Sequence, residues 1–150
     1  MYRIAGRNAG AIVLFADVLK GALPALVGFG FGGRELGIAC GIAAVVGHIF
    51  PATRSFRGGK GVATYGGVTL ACWLPAGIVG LAIWLVVLRF TKTASLGALI
   101  AIPATVVLVY LIGRPSWEVA SAAAVAALII ARHYRNIARL LHSEELHVGG

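Results

Sequence analysis

Residues 95–112 read SLGALIAIPATVVLVYLI, eighteen consecutive positions without a charge. A helix of that length rises about 27 Å, close to the ~30 Å hydrocarbon core of a bilayer. Outward from this stretch lie five more apolar runs, at residues 9–31, 36–52, 62–72, 75–88 and 117–130. The run at 62–72 is short and glycine-rich. Of the 150 residues, 59% are hydrophobic and 12% charged, and the mean hydropathy is +0.92. Soluble domains carry about 45–50% apolar and roughly 25% charged residues, so a water-soluble globule is excluded. Disorder and fibrous repeats fall with it. The length allows one domain, residues 1–150. The expected fold is an all-α, polytopic transmembrane helix bundle.

The cations set the number of crossings. With six, the loops on one side hold Arg3, Arg7, Arg54, Arg57, Lys60, Arg89, Lys92, Arg132, Arg135 and Arg139. The other side keeps Arg34 and Arg114, each with a nearby acid, Glu35 and Glu118. The positive-inside rule then places both termini in the cytoplasm. The net charge of +8 lies between apolar runs, so lipid headgroups and phosphorylated substrates are the expected anions and nucleic acid is not. Cys40 and Cys72 read as small buried hydrophobes. Gly28/Gly32 and Gly37/Gly41 have the spacing that lets helices approach closely in lipid. Trp73, Trp84 and Trp117 lie at or within span ends, and at least two fit interfacial anchoring.

Several polar residues stand out against this background. Asp17 and Lys20, three apart inside an apolar run, either neutralise each other or serve a polar site. The densest signal is GHIFP (47–51) followed by FRGGKGVAT (56–64). A span ends at Pro51, and three glycines flank Lys60 where the next helix begins. Amides at a helix N-terminus form a cradle for phosphate, and a lysine adds a full charge. A basic juxtamembrane turn is the plainer reading. Gly61 follows Lys60 where a Walker loop has Ser or Thr, which disfavours an ATPase. His48 is an interfacial polar residue or a ligand, and Ser95 a helix N-cap or a substrate contact. RHYRN (132–136) closes the last run as a basic helix end. Its sharing one face with Arg3, Lys60 and Ser95 favours a common anion site. His142 and His147 read as solvated tail residues. No His-x4-Asp pair, HExxH or GxSxG occurs, and no metal-ligand set.

DVLKG (17–21), the GHIFP…FRGGKGVAT run, Ser95-Leu96 and the RHYRNI…RLL ending occur in the order and spacing of a known family. The chain resembles the bacterial membrane glycerol-3-phosphate acyltransferases that use acyl-phosphate donors, often called the PlsY type, from Arg3 to about Leu141. The resemblance implies transfer of a fatty acyl group from acyl phosphate to sn-glycerol 3-phosphate, giving lysophosphatidate and phosphate in phospholipid synthesis. It implies a multi-pass protein of the bacterial plasma membrane with a cytoplasmic active face. Membrane lipid is its setting, and it needs neither cofactor nor obligate protein partner. Because the donor is already activated, the protein mainly positions two anions and stabilises developing charge. Lys60, Arg3 and the amides of Gly58, Gly59 and Gly61 would bind phosphate, with His48 and Thr64 in the same substrate-binding stretch. Ser95, His133 and Asn136 would hold and orient glycerol phosphate. Lys60, Ser95 and His133 are the catalytic candidates, and proton removal falls to a histidine or to a substrate phosphate.

Two departures accompany the likeness. The family usually has a seventh, N-terminal span and a glycine-rich G-S-G-N-x-G-x-T-N loop upstream of the arginine matching Arg3, whereas this chain begins at Met1-Tyr2-Arg3. Met1 is therefore expected to be an internal methionine of a longer protein, and the 150-residue form to be inactive or severely impaired. Arg135 stands where the family more often carries an acid. The competing readings are a non-catalytic membrane remnant of the family and a small transporter or channel. A transporter would show inverted repeats with broken helices, and no internal repeat is found.

Overall fold

The structure, a computed structural model, describes residues 2–52, 58–142 and 145, with side chains from Ala9 onward. All secondary structure among these residues is helical, in the order α1 (Tyr2–Ile49), α2 (Val62–Cys72), α3 (Leu74–Thr91), α4 (Ala94–Leu111), α5 (Ser116–Arg132) and α6 (Tyr134–Leu141). The chain divides into two compact units, residues 1–72 and 73–150.

In the first unit, α1 is a helical run that folds back on itself. Along a straight axis residues 25 and 41 would be about 24 Å apart. Yet a Cβ added to Gly41 would lie 3.4 Å from the Ala25 Cβ, and one on Gly28 would lie 2.7 Å from the Leu36 carbonyl oxygen. The reversal falls at Gly33, whose φ of +67° suits a residue without a Cβ. The two limbs, residues 2–32 and 34–49, match the runs expected at 9–31 and 36–52. All four glycines read as packing signals, Gly28, Gly32, Gly37 and Gly41, lie in tight contacts, Gly32 against the Leu36 side chain just past the reversal. Two others hold α2 against the first limb. A Cβ on Gly21 would strike the Thr64 carbonyl, and one on Gly67 the Val18 carbonyl. Ala25, Ile38, Val45, Ile49, Tyr65 and Val68 fill the space between. Arg34 Nη2 donates to the Cys72 carbonyl at 3.1 Å, satisfying an end carbonyl of α2.

In the second unit, α3 and α4 form an antiparallel hairpin. Gly80 lies against Thr105 and Gly97 against Trp84, and Trp84 Nε1 donates to the Ala94 carbonyl at 3.2 Å. Gly113, with φ +73°, turns the chain into α5. The start of α5 is anchored by a buried carboxylate. Glu118 accepts Trp73 Nε1 at 2.6 Å and a two-pronged contact from Arg114 at 2.9 and 2.8 Å. Trp73 is thus a core residue with a hydrogen-bonded indole, while Trp117 is exposed as an interfacial anchor should be.

Among the described residues, three helical stretches are long and apolar enough to cross a membrane: Ala9–Ile49, Leu74–Thr91 and Ala94–Leu111. The first, at 41 residues, supplies two limbs through its reversal. The 11 residues of α2 rise only about 16 Å, half a hydrocarbon core, so the expected crossing at 62–72 is not supported by length alone. Exposed Ile12, Phe15, Leu23, Leu85, Val86 and Phe90 form apolar surface on a scale that water does not tolerate and lipid does.

Candidate active-site elements

The glycine loop belongs to the first unit. The second limb of α1 ends at Ile49, and Pro51 cannot continue the helix. The described chain resumes at Gly58, whose N–H donates to the Ile49 carbonyl at 3.2 Å. Each glycine of the loop has its own reason for being one. A Cβ on Gly58 would collide with the His48 carbonyl and lie 2.7 Å from that of Ile49. One on Gly59 would collide with Nε2 of His48. Gly61 has φ +86°, and its carbonyl accepts the Tyr65 N–H at 2.8 Å in the first turn of α2.

The Gly58 amide is engaged with Ile49, and Gly59, Lys60 and Gly61 lead into the opening turn of α2. Lys60 is half-buried beside that turn. Thr64 is fully buried, and its Oγ1 has no hydrogen-bond partner among the described residues. Such an orphaned hydroxyl costs about 1–3 kcal/mol. His48 touches the loop itself rather than open space. Its Nδ1 lies 3.4 Å from Oδ1 of Asp17, the oxygen that also accepts Lys20 Nζ at 3.0 Å. The Arg3 side chain, Arg54 and Arg57 lie outside the described residues.

The second unit gathers Ser95, His133 and Asn136 differently. All three are buried, so within the basic end at 132–136 His133 and Asn136 face inward while Arg135 stays exposed. Helix α5 stops at Arg132 and the separate helix α6 begins at Tyr134. Between them His133 Nδ1 lies 2.8 Å from the Ile129 carbonyl. A carbonyl only accepts, so Nδ1 carries the proton. In the neutral ring Nε2 is then the acceptor.

Glu145, which the sequence reading passed over, connects the other two. Its Oε1 accepts Ser95 Oγ at 2.7 Å and Asn136 Nδ2 at 2.6 Å. Its Oε2 accepts Arg139 Nε at 2.7 Å. Burial pushes this carboxyl up, but the hydrogen bonds from Arg139, Ser95 and Asn136, together with the Arg139 charge, outweigh it and hold the group below the usual carboxylate range. Ser95 is not an N-cap. That position is Thr93, which makes no side-chain cap bond. With its hydroxyl hydrogen directed at Glu145, Ser95 keeps its oxygen lone pairs for another donor. Only the spacing of Glu145, six residues after Arg139, could have signalled this role.

Fold and loop together define a class: an apolar helical membrane protein in which a glycine-flanked lysine opens one helix. The chain belongs to the glycerol-3-phosphate acyltransferase family, whose profile matches residues 1–143. It is 44% identical over 146 residues to the glycerol-3-phosphate acyltransferase of Thioalkalivibrio sulfidiphilus, covering 96% of this chain and 72% of that protein. It is 37% identical over 157 residues to that of Pseudomonas aeruginosa, covering 98% and 77%. Its fold is similar to crystal structures of PlsY (YgiH), an integral membrane glycerol 3-phosphate acyltransferase. For the glycerol 3-phosphate form the TM-score is 0.94 at 34% identity, over 99% of this chain and 75% of that one. For the lysophosphatidic acid form it is 0.93 at 34% identity, over 99% and 76%. The protein is an integral membrane acyltransferase.

Proposed function

We propose that the protein moves a fatty acyl group from acyl phosphate to the 1-hydroxyl of sn-glycerol 3-phosphate at the cytoplasmic face of the bacterial plasma membrane. The glycerol oxygen attacks the acyl carbonyl carbon, the bond from that carbon to the phosphate oxygen breaks, and lysophosphatidate and phosphate leave. The observation that carries this reading is the opening of α2. Gly59, Lys60 and Gly61 lead directly into the positive end of α2, where a phosphate would be stabilised by both dipole and charge, and the Thr64 hydroxyl in the first turn of that helix has no hydrogen-bond partner among the described residues. In the second unit Ser95 and Asn136, steadied by Glu145, orient the acceptor. His133 presents Nε2 in the form able to take the hydroxyl proton. No step calls for a covalent intermediate on the protein, because the leaving group is already phosphate.

Acyl transfer from palmitoyl phosphate to labelled glycerol 3-phosphate, measured in purified membranes, tests the reading. Lys60→Ala should lower kcat/KM by about 10²–10³-fold, the usual effect of removing one charge-stabilising donor, with thermal unfolding unchanged. Binding of glycerol 3-phosphate without turnover would identify a remnant of the family. A folded protein that neither binds nor transfers overturns the proposal.

A further inference from the structure

Asp17 takes no part in the roles above, yet its surroundings are more specific than mutual neutralisation with Lys20 requires. The Lys20 side chain is 54% exposed, whereas Asp17 is only 21% exposed. The Asp17 carboxylate faces the other limb of α1. Its Oδ1, already bonded to Lys20, lies 3.4 Å from Nδ1 of His48, a residue 31 positions away brought close by the reversal at Gly33. On the far edge of the same ring, Nε2 lies against Gly59, so closely that a Cβ there would collide with it. A continuous line of contact therefore runs from Asp17 through the imidazole to the residue preceding Lys60.

An imidazole can flip about its last torsion and can carry its proton on either nitrogen. A carboxylate facing Nδ1 favours one ring orientation and a proton on that nitrogen. Gly58 is tied to the Ile49 carbonyl and Gly59 is braced by the ring, so whatever fixes the ring fixes the backbone leading into Lys60. We propose that Asp17 is a positioning residue: by holding His48 in one orientation, it keeps the loop at residues 58–61, and with it Lys60, aligned for the phosphate of the acyl donor. The inference rests on the phosphate-binding reading of that loop.

The test uses the whole protein in detergent and has two readouts. Nitrogen-15 spectra of histidine-labelled protein, with His48 assigned by its loss in His48→Gln, should show a proton on Nδ1. A bare Nδ1 overturns the proposal whatever the variants do. In acyl transfer, Asp17→Leu should raise KM for palmitoyl phosphate about ten- to a hundredfold, the effect of a small misplacement, with kcat and the KM for glycerol 3-phosphate within about twofold of the parent. Asp17→Asn, which keeps an oxygen to accept from Nδ1, should recover most of the loss. Asp17→Leu added to His48→Gln should cost nothing further, because the two act in series. Additive losses, or the same KM change from Lys20→Gln, overturn the proposal. Lys60→Ala, measured alongside, separates the failures. If it too leaves KM for palmitoyl phosphate unchanged, the phosphate reading and the proposal fall together. If it raises that KM and Asp17→Leu does not, only the role of Asp17 falls.

Discussion

The two units hold polar groups at the edge of an apolar bundle with different materials. In the first, residues 58–61 are held by backbone, with an amide on the Ile49 carbonyl and glycines pressed against residue 48. In the second, Ser95 and Asn136, 41 positions apart, are held by one carboxylate that both of them reach. A backbone-held loop fails sterically, by addition of a methyl group. A carboxylate-held cluster fails electrostatically, by loss of a charge. The contrast can be broken experimentally from either side.

Of the substitutions that test this contrast, Gly58→Ala has the largest effect. The atoms its Cβ would meet are the His48 and Ile49 carbonyls, which cannot move without moving the end of α1. The loop must shift instead, and displacement of about 1 Å costs roughly 10²-fold in rate. Gly59→Ala should cost less, because the obstructing atom is the tip of an imidazole that can turn away. Gly66→Ala meets nothing within 4 Å and should leave transfer unchanged. Equal losses at positions 58 and 66 would mean that the loop is not held by its backbone.

Glu145→Gln comes next. The amide cannot accept from Arg139 as the carboxylate does, and loss of hydrogen bonds to a charged group costs about 1–3 kcal/mol. That corresponds to roughly a tenfold drop in turnover if Ser95 and Asn136 lose alignment. The same carboxylate sets a pH signature. Its folded value lies below the ordinary range, so its stabilisation is fully present above an unfolded value of about 4.3. It is lost as the pH falls through the lower folded value. Thermal unfolding of the parent should weaken below about pH 4, and that component should be missing from Glu145→Gln. Identical pH profiles would show that the carboxylate does not hold the cluster.

The same contrast explains what could be read in advance. Apolar run lengths and cation positions located the limbs of α1 and the helices α3, α4 and α5 to within a few residues, because the bilayer imposes a length and each span must be apolar throughout. The glycine loop was legible because all its residues are contiguous. Its internal economy was not. That Gly58 is needed for packing on residue 48 depends on where α1 ends. The burial of His133 and Asn136 was hidden because a basic sequence reads as solvated until a carboxylate is found to neutralise it, and Glu145 lies 50 residues from Ser95.

The smallest effect tests backbone against charge at one residue. Among the described residues, the first unit places glycine at its left-handed positions, Gly33 and Gly61, whereas the second uses Gly113 and, at the end of α3, Lys92 with φ 56°. That conformation costs a non-glycine residue about 1–2 kcal/mol. Part of it is offset by a cation near a helix C-terminus, worth about 0.3–1 kcal/mol, and by the larger unfolded-state freedom of glycine. Lys92→Gly should therefore stabilise the protein only slightly, by about 0.5 kcal/mol, with the Lys92 N–H still on the Leu88 carbonyl. If stability rises and transfer is unchanged, Lys92 is one of the cations that only orient the protein in the membrane. If stability rises while transfer falls, the charge is retained in a strained conformation because it serves an anionic substrate. The second unit would then depend on electrostatics at its turn as well as at Glu145.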